Sequence, residues 1–328
     1  MSRADADPFA GVVGHERALD FLRGVLATRR VPTGFLFHGD SGRGKNLVAR
    51  RFLARVFGDP ECRLENHPDL DLVSVPEGKT QIPIDRLRQL REWFSRAPFE
   101  AEHRAALVDE AHLMTVEAQN SLLKLLEEPP RHGLLVLVTS EPSALLETIH
   151  SRLQRVHFGP VGGPEAEALV ARESGADAER SRAALALAQG SPGRAIELLR
   201  ESGEGDPLEE VAALLDPRRP PFAFAESFFA PGHRRAPAAA REAALDAVDL
   251  ATEAVGTALA ETAAGREPSA LPALARRSPE FYERVLECLF GARRRILGNV
   301  APRLVLEALK IELGREMKRF PAARAEEA

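Results

Sequence analysis

The chain has 328 residues, 44% of them apolar and 28% charged, with a formal net charge of −5 and a pI near 6.1. That length fits two or three domains with cores of their own, and the acidic balance excludes a protein coated throughout in nucleic-acid-binding charge, leaving room only for local basic faces. Cys62 and Cys288 are too few for a disulfide framework or a cysteine-built metal cage, and no targeting segment or run of about 18 apolar residues occurs; a cytoplasmic protein with no membrane partner is expected.

Apolar runs at 35–38, 70–75, 105–108, 134–139 and 155–158 predict five strands. The segments between them are mostly long enough for crossover helices, so a parallel α/β sheet flanked by helices is expected over residues 1–160. At Pro160-Val161-Gly162-Gly163-Pro164 the pattern turns helical. A few short helices are expected over 161–205, the last opening at Gly190-Ser191-Pro192-Gly193, and a second break from Ser202 to Pro207 leads into a helical region over 206–328. There Leu245, Val248, Thr252, Val255 and Leu259 recur at helical spacing, as do Leu306, Leu309, Leu313 and Met317. Residues 230–240 and 264–273 read as loops, and Ala322 to Ala328 as a frayed tail.

Directly after the first strand, Gly39-Asp40-Ser41-Gly42-Arg43-Gly44-Lys45-Asn46 meets the G-x-x-x-x-G-K spacing of a phosphate loop. Gly39, Gly42 and Gly44 allow backbone N–H groups and a helix N-terminus to surround a phosphate, while Lys45 reaches its outer oxygens. The eighth position departs from the pattern. Where a Ser or Thr hydroxyl would ligate Mg²⁺ there is Asn46, a neutral amide on a longer arm, so ATP with Mg²⁺ is expected to be held weakly or unproductively. Ala105 to Val108 then deliver Asp109 and Glu110 at a strand end, where ligands of open α/β sheets bind. Asp109 would support Mg²⁺ and Glu110 would polarise the attacking water; alone, such a pair is more often a solvated acidic turn. Thr139 ends the next apolar run, where it would sense a γ-phosphate, although alone it is more often a strand cap.

Taken in order, Val13-Gly14-His15-Glu16, the phosphate loop, Asn66-His67-Pro68-Asp69-Leu70, Asp109-Glu110-Ala111-His112, Asn120 through Pro130 and Ser151-Arg152-Leu153-Gln154 resemble the bacterial clamp-loader subunits of the AAA+ class. The resemblance runs along essentially the whole chain. It implies an AAA+ P-loop domain at 1–160, a helical lid at 161–205 and a helical collar at 206–328. The collar would join gamma/tau-type and delta-type subunits in a five-membered ring that opens a sliding clamp and places it on primed DNA under ATP control. By the same resemblance Arg152 is a finger directed into a neighbour's ATP site, Val13 lines the adenine end of the chain's own site, and Arg194 stands in the place of a second sensor. An arginine that merely solvates a helix end is the alternative for Arg152.

Two departures from the family pattern matter. Its four-cysteine zinc module is reduced here to Cys62, so no zinc is expected and no metal site is assigned. Its Ser-Arg-Cys motif reads Ser151-Arg152-Leu153. Three readings stay open: a rigid ring member with a compromised loop, an ATP-hydrolysing motor of gamma type, and an unrelated phosphate-loop kinase. Intact Gly44-Lys45 and Asp109-Glu110 favour the motor, whereas Asn46 and the chain's stopping at residue 328 oppose it. The helical last third disfavours the kinase, and no polymerase active site is recognisable.

Overall fold

The five apolar runs form β1 (Gly34–His38), β2 (Leu70–Val73), β3 (Arg104–Val108), β4 (Gly133–Thr139) and β5 (Gln154–His157). In the computed structural model, which describes residues 7–28, 30–58, 64–200, 206–230, 236–268, 274 and 277–321, they pair in parallel in the order β2-β3-β4-β1-β5. β3 and β4 are buried along their whole length, and the two outer strands are partly exposed. This is the burial expected of a sheet with helices on both faces, whose inner strands read as continuous apolar runs. The chain divides into two compact units, residues 1–161 and 162–328.

The sheet unit adds α1 (Glu16–Thr28), α2 (Lys45–Val56), α3 (Ile84–Phe94), α4 (Val116–Glu127) and α5 (Glu147–His150). Alternation along β1 distributes its side chains between two cores. Phe35 and Phe37 pack with Leu22, Val48, Phe52 and Leu53 on one side. Leu36 packs with Leu87, Leu90, Leu122 and Leu137 on the other. Leu153 also fills this second core. Its side chain occupies the space beside Gly34, where a Cβ would lie 2.4 Å from Leu153 Cδ2, so the larger residue in the Ser-Arg-Leu sequence is accommodated by a glycine across from it.

The helical unit comprises α6 (Pro164–Ser174), α7 (Ala178–Leu187), α8 (Pro192–Arg200), α9 (Pro207–Leu215), α10 (Pro221–Phe228), α11 (Pro237–Ala263), α12 (Pro279–Leu297) and α13 (Pro302–Arg319). α6, α7 and α8 pack on one another, and α12 packs against both α11 and α13. Side-chain caps start several of these helices: Asp177 accepts from the Arg180 N–H at 2.8 Å and Asp206 from the Leu208 N–H at 3.0 Å. Leu306, Leu309, Leu313 and Met317 are all buried, as expected, whereas on α11 the buried face is mostly alanine, with Val248 and Val255 inside it and Leu245, Thr252 and Leu259 at its margin. Residues 237–240 are helical rather than loop. Pro237 sits in the first turn, where a missing N–H costs nothing, and the alanines after it are the best helix formers. Residues 269–273 and the tail 322–328 lie outside the described residues, as does Cys62.

Candidate nucleotide site

The site is built at the C-terminal ends of β1, β3 and β4. Because β4 lies between the other two, with His38 paired to Thr139 and Val108 to Leu137, the loop after β1, the acidic pair after β3 and the end of β4 share one rim. The chain leaves β1 through Gly39 (φ 146°) and turns at Gly42 (φ 71°) and Gly44 (φ 77°) into α2. Only glycine fits at 39, since a Cβ there would lie 2.1 Å from the Phe158 carbonyl oxygen. Arg43 is buried, donates to that same carbonyl at 3.3 Å and forms an ion pair with Asp40.

The segment before α1 is pinned to the loop. His15, in the left-handed region (φ 62°), places Nε2 3.0 Å from the Arg43 carbonyl oxygen, and its ring meets Phe158 edge-on at 4.9 Å. Burial pushes the His15 pKa down, which favours the neutral imidazole, and the tautomer with its proton on Nε2 donates to that carbonyl. Gly14 (φ 72°) lies against Val161, and Val13 beside it is half-buried. His38, at the end of β1, is driven down to about 4 by burial and by the nearby Arg155, so it too is uncharged at neutral pH.

The arms that would grip Mg-ATP are already engaged within the chain. Lys45 is buried and donates from Nζ to the Gly39 and Asp40 carbonyl oxygens, each at 2.6 Å. Burial pushes its pKa down, against the pull of Asp40. Asn46 donates from Nδ2 to Asp109 Oδ2 at 2.5 Å and accepts at Oδ1 from Arg50 Nε at 2.8 Å. Asp109 Oδ1 accepts the Glu110 N–H at 3.0 Å. Glu110 itself is exposed in a left-handed conformation (φ 47°). Thr139 is fully buried; its hydroxyl accepts the Glu141 N–H at 3.1 Å and lies 3.3 Å from His112 Nδ1.

The phosphate half of the site keeps the residue types such a ligand needs: three glycines at positive φ, a helix N-terminus and a lysine. The cation half does not fit. An amide nitrogen faces the carboxylate that would bind Mg²⁺, and octahedral oxygen coordination leaves no place for a donor N–H there.

One predicted residue of this unit stands away from the rim, and another belongs to the helical unit. Arg152 follows α5 and precedes β5, hence at the opposite end of the parallel sheet from the loop. Its guanidinium donates to Glu127 Oε1 at 3.1 Å and to the Thr148 carbonyl oxygen at 3.1 Å. Arg194 belongs to the helical unit, on α8, half exposed and 3.8 Å from Glu197. Asp69, in the sequence only one letter of a signature, organises a distant turn. It is fully buried and accepts three backbone N–H groups, from Phe99, Glu100 and Ala101, at 2.6, 2.8 and 3.0 Å. A turn-forming Pro-Asp pair before a strand was the available signal, but its partners 30 to 32 residues away were not readable. Among the described residues no group of three His, Cys, Asp or Glu side chains could hold a metal, and no helix is long and apolar enough to cross a membrane.

Residues 14–162 match the family described as "DNA polymerase III, delta subunit". Subunit delta' of DNA polymerase III from Bacillus subtilis is 36% identical over 158 residues, which are 44% of this chain and 47% of that protein. Subunit tau of the same organism is 29% identical over 221 residues, 63% of this chain and 37% of its own length. The chain thus spans between about a third and a half of these curated relatives. A crystal structure of a DNA polymerase III gamma subunit-related protein from Thermotoga maritima shares the fold, with a TM-score of 0.50 and 19% identity over 90% of this chain and 99% of that one.

Proposed function

With residues 14–162 belonging to the DNA polymerase III clamp-loader family, we propose that this chain is the delta-prime subunit of the clamp loader, a ring member that acts on a neighbour's nucleotide more than on its own. The observation that carries this reading is the Asn46–Asp109 hydrogen bond. A motor subunit needs that carboxylate for Mg²⁺, and here an amide holds it. The gamma/tau-type alternative rests on the intact Gly44-Lys45 and Asp109-Glu110, and of these Lys45 and Asp109 are turned onto the chain's own groups. In the delta-prime reading Arg152 is the residue that acts, offering a permanent, planar cation to the phosphoryl group transferred at the adjacent ATP site. Val13, Thr139 and Glu110 keep the positions of a nucleotide site without its turnover, and Arg194 on α8 is the second-sensor residue of the same reading.

Assembly falls to the collar, residues 206–328, with 161–205 as the lid. On α12 and α13 the large apolar residues Phe290, Leu297, Leu304 and Ile311 are each more than 40% exposed and follow one another at seven-residue spacing. Two such stripes suit packing against equivalent helices of gamma/tau-type and delta-type subunits. Mixed with those subunits the chain is expected to co-elute as a ring. The double variant Leu297→Glu with Leu304→Glu should melt like the wild type, yet bind the complex at least about tenfold more weakly, as charged residues do in an interface core. Unchanged co-elution of that variant would remove the collar assignment.

The proposed subunit carries no structural zinc, since such a site needs about four N or S ligands and Cys62 has no neighbouring cysteine in the sequence. Elemental analysis of purified protein should find far less than one zinc per chain; one equivalent would contradict this.

A further inference from the structure

Asn46 sits where the orientation of an amide can be decided. Its two polar ends face groups of opposite charge: the carboxylate of Asp109 at 2.5 Å from Nδ2 and the guanidinium of Arg50 at 2.8 Å from Oδ1. Turning the amide over would set oxygen against carboxylate and N–H against guanidinium, two repulsions in place of two charge-assisted bonds. Arg50 lies one helical turn after Asn46 on α2, so the helix itself brings the guanidinium to the amide. Both oxygens of Asp109 are therefore engaged, Oδ2 by the amide and Oδ1 by the Glu110 N–H, and the positive charge of Arg50 stands on the far side of the amide.

From this arrangement we infer that Asn46 is a built-in replacement for the divalent cation: the amide's hydrogen bond, backed by the Arg50 guanidinium, occupies the Asp109 oxygen that the cation would take, and any nucleoside triphosphate entering the loop is held by the loop N–H groups and Lys45 without help from Mg²⁺. The inference deepens the ring-subunit reading at the chain's own loop and rests on it only in taking turnover here to be dispensable. A threonine at position 46 removes the N–H donor, returns an oxygen ligand on a short arm and releases Asp109. One substitution then converts a magnesium-indifferent site into a magnesium-dependent one.

The test is titration of the full-length protein with ATP carrying a fluorescent ribose label, in excess Mg²⁺ and in EDTA. Wild type is expected to bind in both conditions, no more than about twofold more tightly with Mg²⁺, while Asn46→Thr gains at least about tenfold from Mg²⁺. That gain should disappear when Asp109→Asn is added. Asn46→Ser serves as the second variant, and each protein is checked by its thermal melt. Wild type that binds in neither condition, wild-type affinity that improves more than twofold with Mg²⁺, or folded Thr and Ser variants whose affinity gains less than tenfold, overturns the inference. Each of these results leaves the role of Arg152 untouched, because that residue lies at the other end of the sheet and is read out by clamp loading.

Discussion

Rings reconstituted with Arg152→Ala are expected to assemble normally and to lose most of the DNA-stimulated ATP hydrolysis at the one site adjacent to this subunit, with clamp loading impaired accordingly. Assembly should survive because the side chain supports little of the fold. Its bonds run to the exposed Glu127 and to a carbonyl of the preceding turn, and exposed ion pairs contribute about 0 to 1 kcal/mol. The same weakness makes the arginine available: leaving Glu127 for a phosphate costs little against what a phosphoryl group undergoing transfer returns. Arginine fingers contribute about 10³ to 10⁵ in kcat where measured, so the affected site should fall by that order while the others continue. Arg152→Lys should recover only a small part, since lysine keeps the charge and loses the planar fork that contacts two oxygens at once. Wild-type loading by the alanine complex would show that Arg152 only solvates a helix end.

The sheet was legible because its signals are local. Strand runs of four to six residues and glycines at 39, 42 and 44 declare themselves within a few positions, and the observed strands and positive φ values fall on or within a residue or two of them. The mismatch at Asn46 was legible as an identity but not as a geometry. Its partners Arg50 and Asp109 lie four and 63 residues away, and only the placing of β4 between β1 and β3 brings the second of them within reach. At residues 237–240 composition misled, because proline and alanine mark a loop only where no helix start can use them. Asp69 was legible as part of a motif, yet what it holds together depends on a turn at 99–101 that no periodicity announces.

Asp69→Ala should therefore be the most destabilising single change in the sheet unit, by about 3 to 5 kcal/mol at neutral pH. The wild-type carboxylate is fully buried and satisfies three consecutive N–H groups of the turn before β3, with the guanidinium of Arg104 at 3.5 Å. Removing it strands those donors and leaves the buried Arg104 without its carboxylate, the situation in which a broken buried pair costs most. The effect has a pH signature. Burial acts to raise the Asp69 pKa, but the three N–H donors and Arg104 outweigh it, so the pKa lies below the ordinary 3.8. A carboxylate with a lowered folded pKa stabilises fully above its unfolded value of about 3.9, and that contribution is lost as the pH falls toward and through the folded pKa. The gap between wild type and variant should accordingly be constant from neutral pH down to about 5 and narrow progressively below 4. Trp93 is the chain's one tryptophan, and Arg104 lies 4.4 Å over its ring, so its fluorescence during urea unfolding reports this unit directly. A loss below about 1 kcal/mol at neutral pH, or a gap that persists unchanged well below pH 4, would mean that the turn at 99–101 is held by something other than the Asp69 carboxylate.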